Sequence, residues 1–198
     1  MAIAVLALLP ARFSVGPHWL FPALQAILLL AILGIDRLSG GRRSWLVRML
    51  ALALVFLLVV VAAFATGRLV VDLVEGGPET NSASGLLRVG SGVWLYTVIA
   101  FAFLYWPVDG GGPDARIRDP VQFPGLAFPQ QLNPVVAPPG WRPDFSDYVY
   151  LGFTNATAFS PTDVMPLARW AKLAMAIQAL SSLAVLGLVV ARAVNIFR

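Results

Sequence analysis

Four stretches of this chain carry no charged residue over lengths that match a lipid bilayer, and they constrain its fold more than anything else. They cover residues 19–35, 49–67, 89–108 and 173–191. A transmembrane helix needs about 17–25 predominantly apolar residues, so each window reads as one crossing. Trp19, Trp45, Trp94, Tyr105, Trp106 and Trp170 lie near the window edges, where amphipathic rings favour the headgroup layer. Pro22 falls in the first turn of its helix, where a missing N–H costs nothing. The expectation is an all-α polytopic protein with about four transmembrane helices, approximately 18–35, 47–67, 87–108 and 166–196. They belong to a single membrane domain, 1–198.

Composition agrees. The chain is 59% hydrophobic and 12% charged, against roughly 25% charge in a soluble domain, and its mean hydropathy is +0.79. Water could not solvate that surface; lipid can. The net charge of +4 comes from arginines scattered between apolar blocks, with no basic run longer than Arg42–Arg43. A nucleic-acid partner is therefore not expected. Without cysteine, disulfides, iron–sulfur clusters and thiolate metal sites are excluded. The single histidine, His18, reads as an interfacial side chain, so no cofactor or metal is expected. Residues 1–9 are too short to span and suit an interfacial segment or half a helix. Arg12 follows that apolar stretch instead of preceding it, which argues against a signal peptide.

Between the third and fourth windows the character changes. Residues 107–143 hold nine of the fifteen prolines, a density that opposes regular helix or central strand. Interspersed apolar residues, including Leu126, Leu132, Val135 and Val136, suggest an ordered cap packed by Phe123, Phe128 and Trp141. A plain proline-rich linker is the alternative. Next comes the stretch 144–163, DFSDYVYLGFTNATAFSPTD. Asp144 or Ser146 can cap a helix start, and Asp147 suits its positive dipole end. A helix from Phe145 to about Ala156 would be about 18 Å long, too short to cross. An irregular turn over 157–162, broken by Pro161, leads to Asp163 and a long apolar helix from about Pro166 to Ile196. Such backbone at membrane depth survives only when buried in protein or lining water. Asn155-Ala156-Thr157 matches a glycosylation acceptor, but inside this segment the match carries no weight.

Half-helix, extended stretch, aspartate and long inner helix follow the plan of potassium-channel pores, and residues 144–196 resemble that module. The stretch DYVYLGFTNATAFSPTDVMPLARWAK is also similar to small bacterial multi-pass membrane proteins of uncharacterised function. The resemblance sets Thr157, Ala158, Phe159, Ser160, Pro161 and Thr162 on the selectivity filter, with Asp163 on the aspartate that ends it. Only that threonine and aspartate match the channel signature. Ser160 and Thr162 replace glycines that let successive carbonyls face the ion, and Pro161 fixes its own φ. What the resemblance implies is a poorly selective cation pore lined by Thr154, Thr157, Ser160 and Thr162 with Asp163 at its rim. It would take a monovalent cation and work as a homo-oligomer, a tetramer on the channel plan, in the bacterial inner membrane. Gln178 and Ser182 share one face of the last helix with Val185, Val189 and Arg192. They would line that pore or hydrogen-bond a neighbouring helix. Gly187 is a hinge or a close-packing point.

An enzyme is not expected. The windows hold no acidic residue, and Asp144, Asp147 and Asp163 have Arg142, Arg169 and Lys172 nearby for interfacial ion pairs. The alternative to a channel is a non-catalytic membrane subunit whose hairpin docks a partner protein. With four spans, nine basic residues fall on the side of 36–48 and 107–147, and five on the other. That vote favours a cytoplasmic hairpin, the reverse of a potassium channel.

Overall fold

A computed structural model describes residues 2–13, 17–38, 45–118, 124–157 and 163–196. Among the described residues eight α-helices run in chain order: α1 (Ala2–Leu8), α2 (Leu20–Leu38), α3 (Trp45–Glu75), α4 (Ala83–Val108), α5 (Pro113–Arg118), α6 (Pro129–Leu132), α7 (Phe145–Thr157) and α8 (Arg169–Ile196). Two short strands, β1 (Leu126–Ala127) and β2 (Met165–Pro166), pair antiparallel. The described residues fall into two compact units, Met1–Ala100 with Val185–Arg198, and Phe101–Ala184.

Three helices are long and apolar enough to cross a membrane: α3, α4 and α8. At 31 residues, α3 is about 46 Å long, longer than a ~30 Å hydrocarbon core. The fourth expected span, α2, is apolar over Leu20–Ile35 but shorter than the other three, so on length and composition three spans stand. The long helices also outrun their uncharged windows. α3 continues past Gly67 through Arg68 and Asp72 to Glu75, and α4 begins at Ala83, before Arg88. At α8 the shift is the other way. Pro166 lies in β2, and the helix starts at Arg169.

In the first unit the N-terminal residues do form half a helix. α1 buries Leu6 and is followed by buried Leu9 and Phe13. Gly92 of α4 leaves room for Leu9, whose Cδ2 would lie 2.9 Å from a Cβ there. Polar contacts tie the helices together at defined points. Gln25 Nε2 of α2 donates to the Tyr96 hydroxyl of α4 at 2.6 Å, and the Thr66 and Thr97 hydroxyls approach to 3.4 Å. Asp72, 3% exposed, receives Arg12 Nη2 at 3.0 Å and Arg68 Nη2 at 3.5 Å. α3 ends where Gly76 adopts φ 84°, the left-handed conformation that lets the N–H groups of Gly76 and Gly77 return to the Asp72 carbonyl. Arg192, at the far end of α8, donates to the Thr80 carbonyl and to Asn81 Oδ1 in the same unit.

The outward faces stay apolar. Phe56 is 72% exposed, Leu30 68% and Leu180 67%. Large apolar side chains left open on α2, α3 and α8 are what lipid accepts and water does not.

Candidate functional site

The second unit carries the segment singled out by sequence. α7 starts as the residue types predict. Asp144 Oδ1 accepts the Ser146 N–H at 2.7 Å and the Ser146 hydroxyl at 2.6 Å, while Asp147 Oδ2 accepts the Asp144 N–H at 2.8 Å. This reciprocal cap satisfies donors the helix cannot reach. The Ser146 bonds hold the Asp144 carboxyl below its usual range, whereas partial burial pushes Asp147 up. At 13 residues, α7 is about 20 Å long and cannot cross a bilayer core.

The buried positions of α7 are Tyr148, Leu151, Gly152, Asn155 and Ala156, spaced three and four apart on one face. Tyr148 and Leu151 pack into a core with Phe101, Tyr105, Leu126, Phe128, Val164, Ala171 and Met175. Two polar nodes sit in that core. In one, Gln178 Oε1 of α8 accepts the Tyr105 hydroxyl of α4 at 2.7 Å and Asn155 Nδ2 of α7 at 2.8 Å. Gln178 Nε2 donates to the Gly152 carbonyl at 2.7 Å, and Asn155 Nδ2 also donates to the Met175 carbonyl at 3.0 Å. Three helices are thereby joined by neutral groups. Away from water such bonds are expensive to leave unmade.

The second node lies where the cap meets α7. Asp109 is fully buried. Its Oδ2 accepts the Tyr148 hydroxyl at 2.6 Å and its Oδ1 the Leu126 N–H at 3.0 Å. Burial, with that carboxylate beside it, pushes the Tyr148 hydroxyl well above the usual tyrosine range, so it remains a donor. Arg116 closes the node. Its Nη1 donates to the carbonyls of Trp106 at 2.9 Å and Asp109 at 2.5 Å, and its guanidinium lies 5.2 Å from the Tyr148 ring centre.

This node also links the chain after Asp163 to the start of α7. Leu126 stands opposite Pro166 and Ala127 opposite Met165, and the Gly125 carbonyl accepts the N–H groups of Leu167 and Ala168 at 2.9 and 3.1 Å. Gly125 has to be glycine, since a Cβ there would lie 2.6 Å from Trp170 Cζ2. The chain after Asp163 is therefore anchored to β1, which bonds Asp109, which bonds Tyr148 in the first turn of α7.

The cap differs from the expectation in two respects, the first being that Leu126 is buried as expected whereas Leu132, Val135 and Val136 are exposed. The second is that it contains the short elements α5, β1 and α6 and turns of 3-10 helix at Asp109–Gly111 and Pro134–Val136. Prolines begin α5, α6 and the second of those turns, the one helical position where proline is favoured. Phe128 packs against Trp141 and Tyr148 with ring centres 5.9 and 5.3 Å apart. Phe123 lies outside the described residues.

Of the filter-like residues, Ala158, Phe159, Ser160, Pro161 and Thr162 lie outside the described residues. Thr154 turns its hydroxyl back to the Tyr150 and Leu151 carbonyls, at 2.9 and 3.1 Å, and Thr157 to the Thr154 carbonyl at 2.7 Å. Asp163 is exposed. Gln178 is fully buried in the amide node, the neighbouring-helix alternative for that residue. Ser182 is 2% exposed, its hydroxyl without a hydrogen-bond partner among the described residues. Sequence reasoning missed Asn155, set aside as a glycosylation match, and Tyr105, assigned to the interface but fully buried. It missed Asp109, Arg116 and Tyr148 as well. The one available signal was that Tyr148 and Asn155 share the buried stripe of α7. No family model matches the chain, and no curated protein or solved structure is similar to it.

Proposed function

We propose that this is a bacterial inner-membrane protein in which α7 and the return to α8 form a re-entrant, channel-like module. Several copies around an axis, four on the channel plan, would make a poorly selective pore for monovalent cations. The observation that carries this reading is the order long helix, cap, half-helix, return, long helix, with the half-helix clamped against α8 through Asn155 and Gln178. The exposed apolar faces and three long apolar helices support a bilayer location, with α2 as a short fourth crossing. Asp163, exposed at the end of the return, is the charge that would concentrate cations at the mouth.

The account is tested by cation flux in liposomes containing the purified protein. Flux of both potassium and sodium is expected, and Asp163→Asn should reduce it, most at low ionic strength where screening is weakest. Silence towards both ions across pH and voltage would remove the pore. One observation favours a second reading, a non-conducting subunit whose hairpin docks a partner protein. The side chains of Tyr105, Asn155 and Gln178 are committed inside the unit, and Thr154 and Thr157 donate to their own helix. This leaves few described polar groups for an ion. A one-to-one hetero-complex, or a silent monomer in mild detergent, would favour it.

A further inference from the structure

The cap contains a cavity that neither the hairpin nor its proposed pore uses. It has a volume of about 430 Å³, within the range of small-molecule sites. Its walls include Arg116, Gln130, Gln131, Trp141 and Arg142, set among proline and glycine backbone. A second hollow of about 320 Å³ adjoins it, sharing Arg116, Arg142 and Pro143. The two arginines thus stand on the wall common to both.

The charged side chains lining the larger cavity, Arg116 and Arg142, are both cations. Arg116 is only 8% exposed, and its two bonds at Nη1, to the Trp106 and Asp109 carbonyls, fix the guanidinium in the cavity wall. Arg142 is exposed at the rim. Gln131 has committed Oε1 to the Phe128 N–H at 2.9 Å, so what it offers a ligand is its amide N–H donors. Among the described residues lining this cavity none is acidic; Asp144 lines the adjoining hollow, and the buried Gln130 Oε1, without a hydrogen-bond partner among the described residues, can accept a ligand hydroxyl. Donors and positive charge select an oxyanion, and arginine forks match carboxylate and phosphate oxygens in pairs. The remaining wall is flat and apolar: the Trp141 indole and the rings of Pro138, Pro139 and Pro143. From these features we infer that the cap binds a small organic oxyanion, a phosphate ester or carboxylate on a flat apolar body. Arg116 and Arg142 would hold the charged head and Trp141 would pack against the body.

The test uses full-length protein in dodecyl maltoside and phenyl phosphate as the probe, with tryptophan fluorescence as the readout and benzylamine as the cationic control. Phenyl phosphate should change the emission saturably, and the change should vanish in Trp141→Phe, which identifies Trp141 as its source. Arg142→Gln, at an exposed position, should weaken binding by about tenfold or more, the effect of one charge-assisted contact. Arg116→Lys, which keeps the charge but loses the fork, should weaken it as well. Repeating the titration in nanodiscs identifies the natural source of the anion. Binding lost in phosphatidylglycerol but kept in phosphatidylcholine assigns the cavity to a lipid headgroup, and binding kept in both assigns it to a soluble anion. The inference is overturned if phenyl phosphate gives no saturable change. Equal binding of benzylamine, or unchanged binding in Arg142→Gln, overturns it too.

Discussion

Asp72 in the first unit and Gln178 in the second are both buried polar side chains on long apolar helices, but their partners differ in kind. Asp72 is a charge, held by Arg12 and Arg68, whose side chains remain 30% and 39% exposed. Gln178 is neutral, and Tyr105 and Asn155 are buried with it. The ionic site lies near the end of α3, where its cations can keep their contact with water. The neutral node lies between helices, where no water can replace a lost partner. Asp109 is the intermediate case, a fully buried carboxylate satisfied by the neutral donors of Tyr148 and Leu126. The lesson is that Asp72 is held by cations that reach the surface, while the α7–α8 contact uses hydroxyls and amides. The buried charge of Asp109 is held at the end of α4 by neutral donors, with buried Arg116 on its carbonyl.

That contrast predicts unequal costs. Gln178→Leu keeps the bulk but removes one double acceptor and one donor, leaving Tyr105, Asn155 and the Gly152 carbonyl short of partners. At about 1 kcal/mol or more for each buried group left unpaired, thermal unfolding in detergent should show a loss of roughly 3 kcal/mol. Asp72→Asn should cost less, about 1 kcal/mol, because Arg12 and Arg68 can turn to solvent. If Asp72→Asn proved the more damaging in the same melt, the contrast between the two regions would be wrong.

The smallest effect expected is at the α7 cap, where two carboxylates one turn apart pull in opposite directions. Asp144 has its pKa lowered from 3.8 by the Ser146 bonds. Its contribution is therefore present above about that pH and is lost as pH falls through the lower folded value. Asp147 is raised by burial, so its ionisation opposes the fold, and that penalty appears as pH rises through its folded value. Asp144→Asn should lower the melting temperature slightly at pH 6. The gap to the unaltered protein should narrow on acidification below pH ~3.8. A gap that widened on acidification would reverse the assignment.

The long helices were readable in the sequence because lipid-length apolar windows leave few other folds. Their ends were not, since Arg68, Asp72 and Arg88 occupy further helical turns and make contacts that a charge-free window cannot contain. α7 was readable from its cap residues. The pairing of the hairpin was not, because Gln178 meets Asn155 across 23 residues and Tyr105 across 73. Nothing local in an amide announces such a partner. The short elements of the cap were hidden for the same reason. They depend on Asp109 reaching Leu126 and on the clearance at Gly125, while proline density alone suggested irregular chain. Asn155 shows the opposite failure, where a three-residue match drew attention away from the residue's place on the buried stripe.

The central claim, that the α7 hairpin enters and leaves on one side of a membrane, can be tested directly because the chain contains no cysteine. Single cysteines replace Ser146, beside the start of α7, and Asp163, beside the return; both variants are treated with a membrane-impermeant maleimide in sealed vesicles of known orientation. The account predicts that the two positions label from the same side and are protected from the other. Labelling of Ser146→Cys and Asp163→Cys from opposite sides would mean that the segment crosses the bilayer, and the re-entrant hairpin would be contradicted.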